Sequence, residues 1–413
     1  MQALCTLLGM PQHRFASVHV VGTNGKSSVA WMVAALLEAH GVSAGAAVSP
    51  HAARWAERVL VRGEQIDAAE FAAAVERAAQ AAETVNRGLR EAERRERPYP
   101  TPRDRSEAEA VGREGEAVTQ FELATAAAFV ALANARVGAA AIEAGLGGRL
   151  DATNTIPSRV TVLTSVGLDH TEWLGESEEE IATEKLAVLR DHSTLVLGRV
   201  GPAVRAIAER TARERGAKLV VAPQDPGPEV VLRAPGAFQR RNFALAVGAA
   251  EAFLGELDPE RVREVAAGVA VPGRLERVAD DPPAFLDAAH NPDGAAALAE
   301  ALPEVAAGRP VVACLAMLAE KDAEAIVAAL APALDRAVCT RLATGRPSAA
   351  AGDLAAACER AGLTAEAEDD FAAAVRRGRE LAAAAGGVLV VTGSHYALAP
   401  ARAALETLGL CED

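Results

Sequence analysis

The chain has 413 residues, of which 50% are hydrophobic and 24% are charged. This length exceeds the ~250–300 residues at which single hydrophobic cores stop growing, so we expect two domains of an ordinary globular protein and not a disordered chain. The 42 basic and 56 acidic residues give a net charge of −14, which argues against a nucleic acid or an anionic membrane as a partner.

The cysteines and the amino-terminal segment indicate the compartment. The cysteines are widely spaced and form no CxxC pair, so we expect reduced thiols. They are Cys5, Cys314, Cys339, Cys358 and Cys411. The first residues, MQALCTLLGMPQHRF, lack the basic patch, apolar core and cleavage site of a signal peptide. No apolar run approaches the ~20 residues that span a bilayer, and we expect a cytoplasmic protein.

The first half of the chain alternates short apolar runs with helical patterns. A strand is predicted at residues 17–22, and a glycine-containing turn and a helix to about Leu37 follow it. Further strands are predicted at residues 44–48, 139–142, 160–166, 194–200 and 219–222. Such alternation is typical of an α/β fold with a mostly parallel sheet and helices on both faces.

Two features divide the rest of the chain. Residues 87–117 are dense in charge and proline, so an insertion at about 87–118 is predicted as a solvated or flexible loop in preference to a binding element. A second alternating series has strands near 284–287, 311–316, 337–343 and 388–392. We therefore expect a first domain over 1–271 and a smaller, Rossmann-like α/β domain over 272–413, with the boundary at a Pro-Gly pair.

A glycine-containing loop joins the first predicted strand to the first predicted helix. It consists of Gly22, Thr23, Asn24, Gly25, Lys26, Ser27 and Ser28. Backbone N–H groups and the helix dipole at such a junction favour a polyphosphate, to which Lys26 adds positive charge. A serine hydroxyl at the helix start can reach the magnesium that accompanies ATP. The spacing is not GxxxxGK[ST], because Val20 replaces the outer glycine, which argues against a kinase-like or GTPase fold. The alternative is a fortuitous glycine turn capped by serine.

Four segments of the first half resemble motifs of one known enzyme family, in the family's order. GTNGKSS resembles the GTNGK loop of the Mur ligase superfamily, specifically its folylpolyglutamate synthase and dihydrofolate synthase branch, and His19 in VHVVGTNGK also fits that branch. Three further segments resemble the same family: Ser49-Pro50-His51, EAGLGGRLDATN from Glu143 onward, and SVGLDHTEWLGESEEEIATEKLAV. The resemblance implies a P-loop-type ATP-binding domain followed by a glutamate-ligase domain.

The resemblance also implies a set of metal ligands. It assigns Mg²⁺ binding to Ser49, Glu143, His170 and Lys185, the lysine as its carbamate. The chemistry is coherent, because a lysine ammonium repels a metal whereas a carbamate offers an anionic oxygen to hard Mg²⁺. Taken singly, a strand-terminal Glu, a surface His and a solvated Lys would be ordinary residues. Their shared spacing favours the metal site.

The acceptor side of the site rests on softer signals. The segment TQFE and the stretch Leu150-Asp151-Ala152 resemble family segments that lie near the pterin-bearing substrate, which implies substrate contacts for Thr119, Leu150, Asp151 and Ala152. For Thr119 a plain helix cap, with Glu122 three residues later, is an equal alternative.

The second half contributes further candidates by resemblance. GAFQRRN, with Phe238 where the family usually has His, implies adenine contact by Asn242. PGR and DAAHN imply that Arg274 and Asp287 approach ATP and that His290 lies near the reacting phosphate. An interdomain salt bridge between Arg274 and Asp287 is the alternative. The segments at Lys321 and at residues 393–396 are interpreted as mainly structural.

The resemblance implies a monomeric ligase that uses ATP and Mg²⁺ to join L-glutamate to dihydropteroate, to a reduced folate, or to both, through an acyl phosphate. Two alternatives remain: a Mur-type ligase for a peptidoglycan precursor, and a P-loop nucleotide-binding protein without ligase activity. Family members usually carry a further segment before the LLGMPQ-like stretch that helps to bind dihydropteroate. We therefore expect either a start upstream of Met1 or altered pterin recognition.

Overall fold

A computed structural model describes residues 1–51, 53–96 and 118–407. Within these residues the chain forms an eight-stranded and a six-stranded sheet. The strands of the first sheet are β1 (Ala16–Val21), β2 (Ala44–Ala47), β3 (Val59–Val61), β4 (Glu64–Gln65), β5 (Ala139–Glu143), β6 (Val160–Leu163), β7 (Thr194–Leu197) and β8 (Lys218–Val221). Those of the second are β9 (Glu276–Asp280), β10 (Pro283–Leu286), β11 (Val311–Leu315), β12 (Arg336–Cys339), β13 (Thr364–Ala367) and β14 (Val388–Thr392).

Helices cover both sheets. Those of the first half are α1 (Gln2–Leu7), α2 (Lys26–Ala39), α3 (Ala68–Glu96), α4 (Gln120–Asn134), α5 (Thr171–Leu174), α6 (Glu178–Leu186), α7 (Pro202–Glu214), α8 (Ala237–Leu254) and α9 (Pro259–Gly268). Those of the second half are α10 (Pro292–Ala306), α11 (Ala323–Leu330), α12 (Ala351–Arg360), α13 (Phe371–Ala384) and α14 (Leu398–Glu406). None of the helices within these residues is both long and apolar enough to traverse a bilayer.

The strand order places four loops at one edge of the first sheet. The order is β4-β3-β2-β5-β1-β6-β7-β8, and the strands from β2 to β8 in this order are parallel. All five side chains of β5, Ala-Ala-Ala-Ile-Glu, are buried, as is typical of a parallel strand covered on both faces. The chain order reverses around β1, where open α/β sheets bind ligands at the carboxyl ends of the strands.

The second sheet is also mostly parallel, with the order β13-β12-β11-β14-β10-β9 and only β9 antiparallel. Each sheet has an apolar core on both of its faces. The α/β class, the two sheets and their mostly parallel pairing were predicted from the sequence, and the structure confirms them.

Some details differ from the sequence predictions. The short strands β3, β4, β9 and β13, which lie at or next to a sheet edge, were not predicted. β3 has only three residues, and the exposed or alternating residues of the others give weak apolar signals. The segment predicted as a charged insertion starts as helix, since α3 reaches Glu96. Arg, Glu and Ala are good helix formers, which favours this extension of the helix. Residues 97–117 lie outside the described residues.

The cysteine prediction agrees with the structure for the residues described. Cys5, Cys314, Cys339 and Cys358 are buried free thiols. Cys411 lies outside the described residues.

The carboxyl edges of the two sheets face each other across Asp169. Its carboxylate, in the loop after β6, accepts hydrogen bonds from Lys321 Nζ at 3.1 Å and from Asn291 Nδ2 at 3.0 Å, both from the second half. Asn291 also exchanges amide hydrogen bonds of 3.2 and 3.3 Å with Asn24 of the glycine loop. The charge of Lys321 and the Asn291 hydrogen bond hold the pKa of Asp169 at about 2, against the burial that would raise it.

We expect the ion pair between Asp169 and Lys321 to stabilise the contact between the two halves. Both side chains are only 14% exposed, so water screens the pair weakly. In a double-mutant cycle of Asp169→Asn and Lys321→Met, urea unfolding should give a coupling of about 1–3 kcal/mol. The exposed pair Arg360 and Glu324 is the matched control, with an expected coupling under about 0.5 kcal/mol. Equal couplings for the two pairs would contradict this interpretation.

Candidate active site

A cleft of about 1610 Å³ lies between the facing edges of the two sheets. It is lined by the loops after β1, β2, β5 and β6 from the first half and by residues that flank β10 and β14 from the second. Every residue that the sequence singled out for catalysis, nucleotide, substrate or metal binding lines this one cleft. These residues are spread from position 22 to position 290, so only the fold brings them together.

The glycine loop is shaped by contacts that leave no room for side chains. Gly25 has φ +85°, and a Cβ there would lie 2.6 Å from Asn242 Oδ1. A Cβ on Gly22 would lie 1.9 Å from Thr164 Oγ1. Thr164 Oγ1 in turn donates to the carbonyl of Asn24 at 2.6 Å. The loop is therefore fixed between β6 and α8. Gly22 and Gly25 are required both because a Cβ would clash and because their φ angles are positive.

Lys26 begins α2 and folds back over the loop. Its Nζ donates to the carbonyls of Gly22 and Thr23, both at 3.1 Å. The ammonium therefore lies beside the loop that the sequence predicts as a polyphosphate cradle. Ser28 lies in the first turn of α2, and its buried Oγ has no hydrogen-bond partner in the described part of the chain.

Glu143 ends β5 and is the buried carboxylate of the cleft. Its Oε1 accepts from Ser27 Oγ at 3.0 Å, and its Oε2 accepts from the Ser49 N–H at 2.7 Å. Burial raises the pKa of Glu143, and the positive charge of Lys26 is the largest of the effects that oppose this rise. The ends of β1, β2 and β5 thus meet at one carboxylate.

The second half reaches this carboxylate through Arg274. Its Nη2 donates to Ser27 Oγ at 3.3 Å. The salt bridge considered between Arg274 and Asp287 is absent among the ion pairs of the described residues. Instead, Asp287 accepts the N–H groups of Leu275 and Ala289, both at 2.8 Å, because its buried carboxylate lies where the backbone turns after β10. Burial raises the pKa of Asp287, and the charge of Arg274 opposes it.

Lys185, on α6, is only 4% exposed and donates from Nζ to the Gly22 carbonyl at 2.9 Å. Burial, with a smaller contribution from the charge of Lys26, lowers its pKa to about 7. A substantial fraction of this amine is therefore neutral and nucleophilic near neutral pH. His170 is 41% exposed and sits at the start of α5, where partial burial lowers its pKa.

His290 lies in the loop after β10. Its Nδ1 donates to the Ala288 carbonyl at 2.8 Å, which leaves Nε2 directed toward Asp169 at 3.9 Å. Burial lowers the pKa of His290 to about 4 and that of its neighbour His395 to about 3. Both rings are therefore neutral near pH 7.

Part of the cleft lining is apolar and exposed. Leu150 is 92% exposed, Trp173 is 74% exposed and Leu146 is 39% exposed, and all three line the cleft. Thr119 caps α4 by accepting the Glu122 N–H, so the capping alternative is confirmed by the geometry while the side chain also borders the cleft. Exposed apolar side chains that line a cleft are typical of a binding surface for a flat, partly apolar ligand. We call these three exposed side chains the apolar mouth.

The residues present fit a divalent cation bound together with phosphates. Among the described residues, no cluster of three or more His, Cys, Asp or Glu side chains could hold a metal by itself. Magnesium, however, is usually bound through one or two carboxylates plus substrate phosphates, and not by a protein cage. The Ser27 hydroxyl and the Glu143 carboxylate, 3.0 Å apart beside the loop, are hard oxygen donors of that kind.

Two contributors were missed in the sequence. The sequence motifs gave no role to Asp169, although an acid directly before the predicted metal ligand His170 is a usable signal. Arg58 gave no signal: its guanidinium lies over the Trp55 ring, donates to His51 Nδ1 at 2.9 Å and lines the cleft. Burial lowers the pKa of Arg58.

The sequence profile of the Mur ligase, glutamate ligase domain matches residues 273–395. The dihydrofolate synthase/folylpolyglutamate synthase of Mycobacterium tuberculosis is 36% identical over 381 residues, which cover 84% of this chain and 74% of that protein. The crystal structure of the M. tuberculosis folylpolyglutamate synthase with ADP and AMPPCP matches with a TM-score of 0.84 and 32% identity, over 100% of this chain and 95% of the other.

Two further solved structures show what such proteins bind. Escherichia coli FolC in complex with DHPP and ADP matches with a TM-score of 0.79 and 26% identity, over 98% of this chain and 92% of the other. A bifunctional folylpolyglutamate synthase/dihydrofolate synthase with Mn, AMPPNP and L-glutamate bound matches with a TM-score of 0.78 and 28% identity, over 98% and 94%. Together with the cleft, these similarities identify the chain as a member of the dihydrofolate synthase/folylpolyglutamate synthase family of Mur ligases, an ATP-dependent glutamate ligase of folate metabolism.

Proposed function

We propose that this ligase adds L-glutamate to dihydropteroate and to the γ-carboxylate of reduced folates through an acyl phosphate. The observation that carries the proposal is the single cleft in which a glycine loop, a buried carboxylate, a buried lysine and an apolar mouth adjoin. A carboxylate oxygen of the acceptor attacks the γ-phosphorus of ATP and ADP leaves. The glutamate amine then attacks the acyl carbon, phosphate leaves with that oxygen, and the amine loses a proton.

The nucleotide occupies the glycine-loop end of the cleft in this proposal. Backbone N–H groups at the start of α2 receive the phosphates, and Lys26 turns from the loop carbonyls toward the γ-phosphate. Asn242, packed against Gly25, borders the base, and Arg274 supplies positive charge from the second half. The contacts of Asn24 with Asn291 support a nucleotide site that both halves complete.

The divalent cation of this enzyme is Mg²⁺ in our proposal, held beside the phosphates by Ser27, Ser49 and Glu143, with His170 and Lys185 at a second position. When bound, the metal offsets negative charge on the transferring phosphoryl group. Glu143 is already held by the Ser27 hydroxyl and the Ser49 N–H, so it is oriented before any ligand arrives.

Lys185 is proposed to react with carbon dioxide. The neutral amine forms a C–N bond with the carbon, a proton is released, and an anionic carbamate replaces the ammonium. The burial of Lys185 beside Lys26 supports this step, since two adjacent ammonium groups are unfavourable in a buried site. Neutral His290 is proposed to lie beside the reacting phosphate.

The acceptor is proposed to lie at the apolar mouth, with Thr119, Leu150, Asp151 and Ala152 along its pterin-bearing part. Arg58 lines the cleft and interacts electrostatically with Glu143, so its guanidinium suits an acceptor or glutamate carboxylate. We also propose that residues 1–271 form one domain and residues 272–413 form a second. The two sheets fall on either side of Pro272, which supports it. A monomeric state and a cytoplasmic location stay predictions.

Phosphate release with ATP, Mg²⁺ and L-glutamate tests the acceptor. We expect release with dihydropteroate and with a reduced monoglutamyl folate, each strictly dependent on glutamate, and none with a nucleotide-linked peptidoglycan precursor. Omitting glutamate controls for plain ATP hydrolysis. Turnover with neither folate-type acceptor would reject the proposed substrates.

The proposed roles of Glu143 and Lys185 predict large losses. Glu143→Ala and Lys185→Ala should each lower kcat by roughly 100-fold or more, because each removes an anionic oxygen from beside the phosphates. Melting curves should show that both variants fold. In labelled bicarbonate, a carbamate carbon signal should be present in the wild type and missing in Lys185→Ala.

Matched controls are Glu178→Ala, an acid at the border of the same cleft, and Lys218→Ala, an exposed lysine of β8. Both should retain near-normal kcat. Near-normal turnover in Glu143→Ala or Lys185→Ala would contradict the assigned role.

A further inference from the structure

His19 is a buried histidine that does not line the cleft. It lies in β1, paired with Ile142 of β5 and Thr161 of β6, and it has no exposed surface. Its Nε2 lies 2.8 Å from Thr153 Oγ1, in the turn that follows the loop from Gly145 to Ala152. A side chain of the sheet interior thus touches the base of a loop that lines the cleft.

The direction of each hydrogen bond follows from the number of protons. Thr153 Oγ1 donates its single proton to Asp151 Oδ1, at 2.5 Å. Toward His19 the hydroxyl can therefore only accept, so Nε2 of His19 carries the proton. Its Nδ1 is then an unprotonated acceptor, buried and without a partner among the described residues. Burial lowers the pKa of His19 to about 3, so the ring is neutral.

Asp151 carries the connection into the cleft. Its Oδ1 also accepts the Thr153 N–H at 2.9 Å, and its Oδ2 accepts the Leu146 N–H at 2.8 Å. The Asp151 carboxylate thereby joins the start of the loop, at Leu146, to its end, at Thr153. Gly145, Leu146 and Leu150 of this loop line the cleft. Once the Thr153 hydroxyl is fixed by His19, its proton points at Asp151 and at no other acceptor.

The retention of a histidine here needs a reason, because a buried acceptor without a partner costs free energy and an aliphatic residue would fill the core without that cost. We propose that His19 is a positioning residue for the acceptor substrate, acting through Thr153 and Asp151 on the loop from Gly145 to Ala152. The inference rests on the proposed function in so far as this loop is assigned to the acceptor.

The hydrogen-bonded chain from His19 through Thr153 to Asp151 is called the relay below. Hydrogen exchange tests this relay without any substrate. In His19→Leu, which keeps bulk and removes the N–H donor, amides of residues 145–153 should exchange at least about tenfold faster than in the wild type. His19→Gln, which keeps a side-chain N–H, should restore most of the protection. Ser17→Ala is the matched control, because Ser17 is a fully buried residue of the same strand, on the same face, whose Oγ has no hydrogen-bond partner in the described parts of the chain.

Kinetics test the consequence for the reaction. His19→Leu should raise KM for dihydropteroate or the reduced folate about tenfold and leave KM for ATP within about twofold. Thr153→Val, which removes the hydroxyl from the loop side, should have the same effect, and the double variant should be no worse than either single one. Should His19→Leu fail to fold, Thr153→Val against Thr153→Ser carries both measurements.

The outcomes separate the relay from the proposed function. Unchanged exchange at residues 145–153 in His19→Leu or Thr153→Val, or exchange altered equally in Ser17→Ala, would overturn the relay. Equal rises in KM for ATP and for the acceptor would overturn it as well. Faster exchange in a protein that turns over neither folate-type acceptor would uphold the positioning of the loop and reject only its assignment to these substrates.

Discussion

The pairing of β1 with β5 is the constraint on which the rest of the site depends. The register sets Val20 beside Glu143, so the carboxylate ends its strand level with the start of the glycine loop. A shift by one residue would turn Glu143 to the opposite face of the sheet. Because both strands are buried, this register is strongly specified, and Glu143 meets Ser27 and Ser49 without help from a flexible segment.

The charges around Glu143 come from both halves of the chain. A buried carboxylate is unfavourable unless it is hydrogen-bonded and compensated, and the positive charges of Lys26 and Arg274 act on Glu143. Arg274 comes from the second half, which is held in place by the contacts of Asp169 and Asn24. The same closure would limit the access of water to an acyl phosphate. In the proposed mechanism, electrostatic compensation of Glu143 and protection of the acyl phosphate therefore depend on the same contact between the two halves.

Much of this could be predicted from the sequence, for identifiable reasons. Buried parallel strands give continuous apolar runs, so β1, β5, β11 and β14 were found, and glycines in a strand-to-helix turn indicate a phosphate site. The partners of Asp169 could not be found, since Lys321 lies 152 positions away and only the fold joins them. His19 was noticed as part of a motif, but its link to Thr153, 134 positions away, is a tertiary contact without a local pattern.

The most direct test of the account follows one oxygen atom. The acceptor carboxylate is labelled with oxygen-18, and the released phosphate and nucleotide are analysed after turnover with ATP and L-glutamate. Attack of the carboxylate on the γ-phosphorus predicts one labelled oxygen in the inorganic phosphate for each amide formed. Label in AMP, or phosphate without label at full amide yield, would contradict an acyl phosphate formed in this cleft.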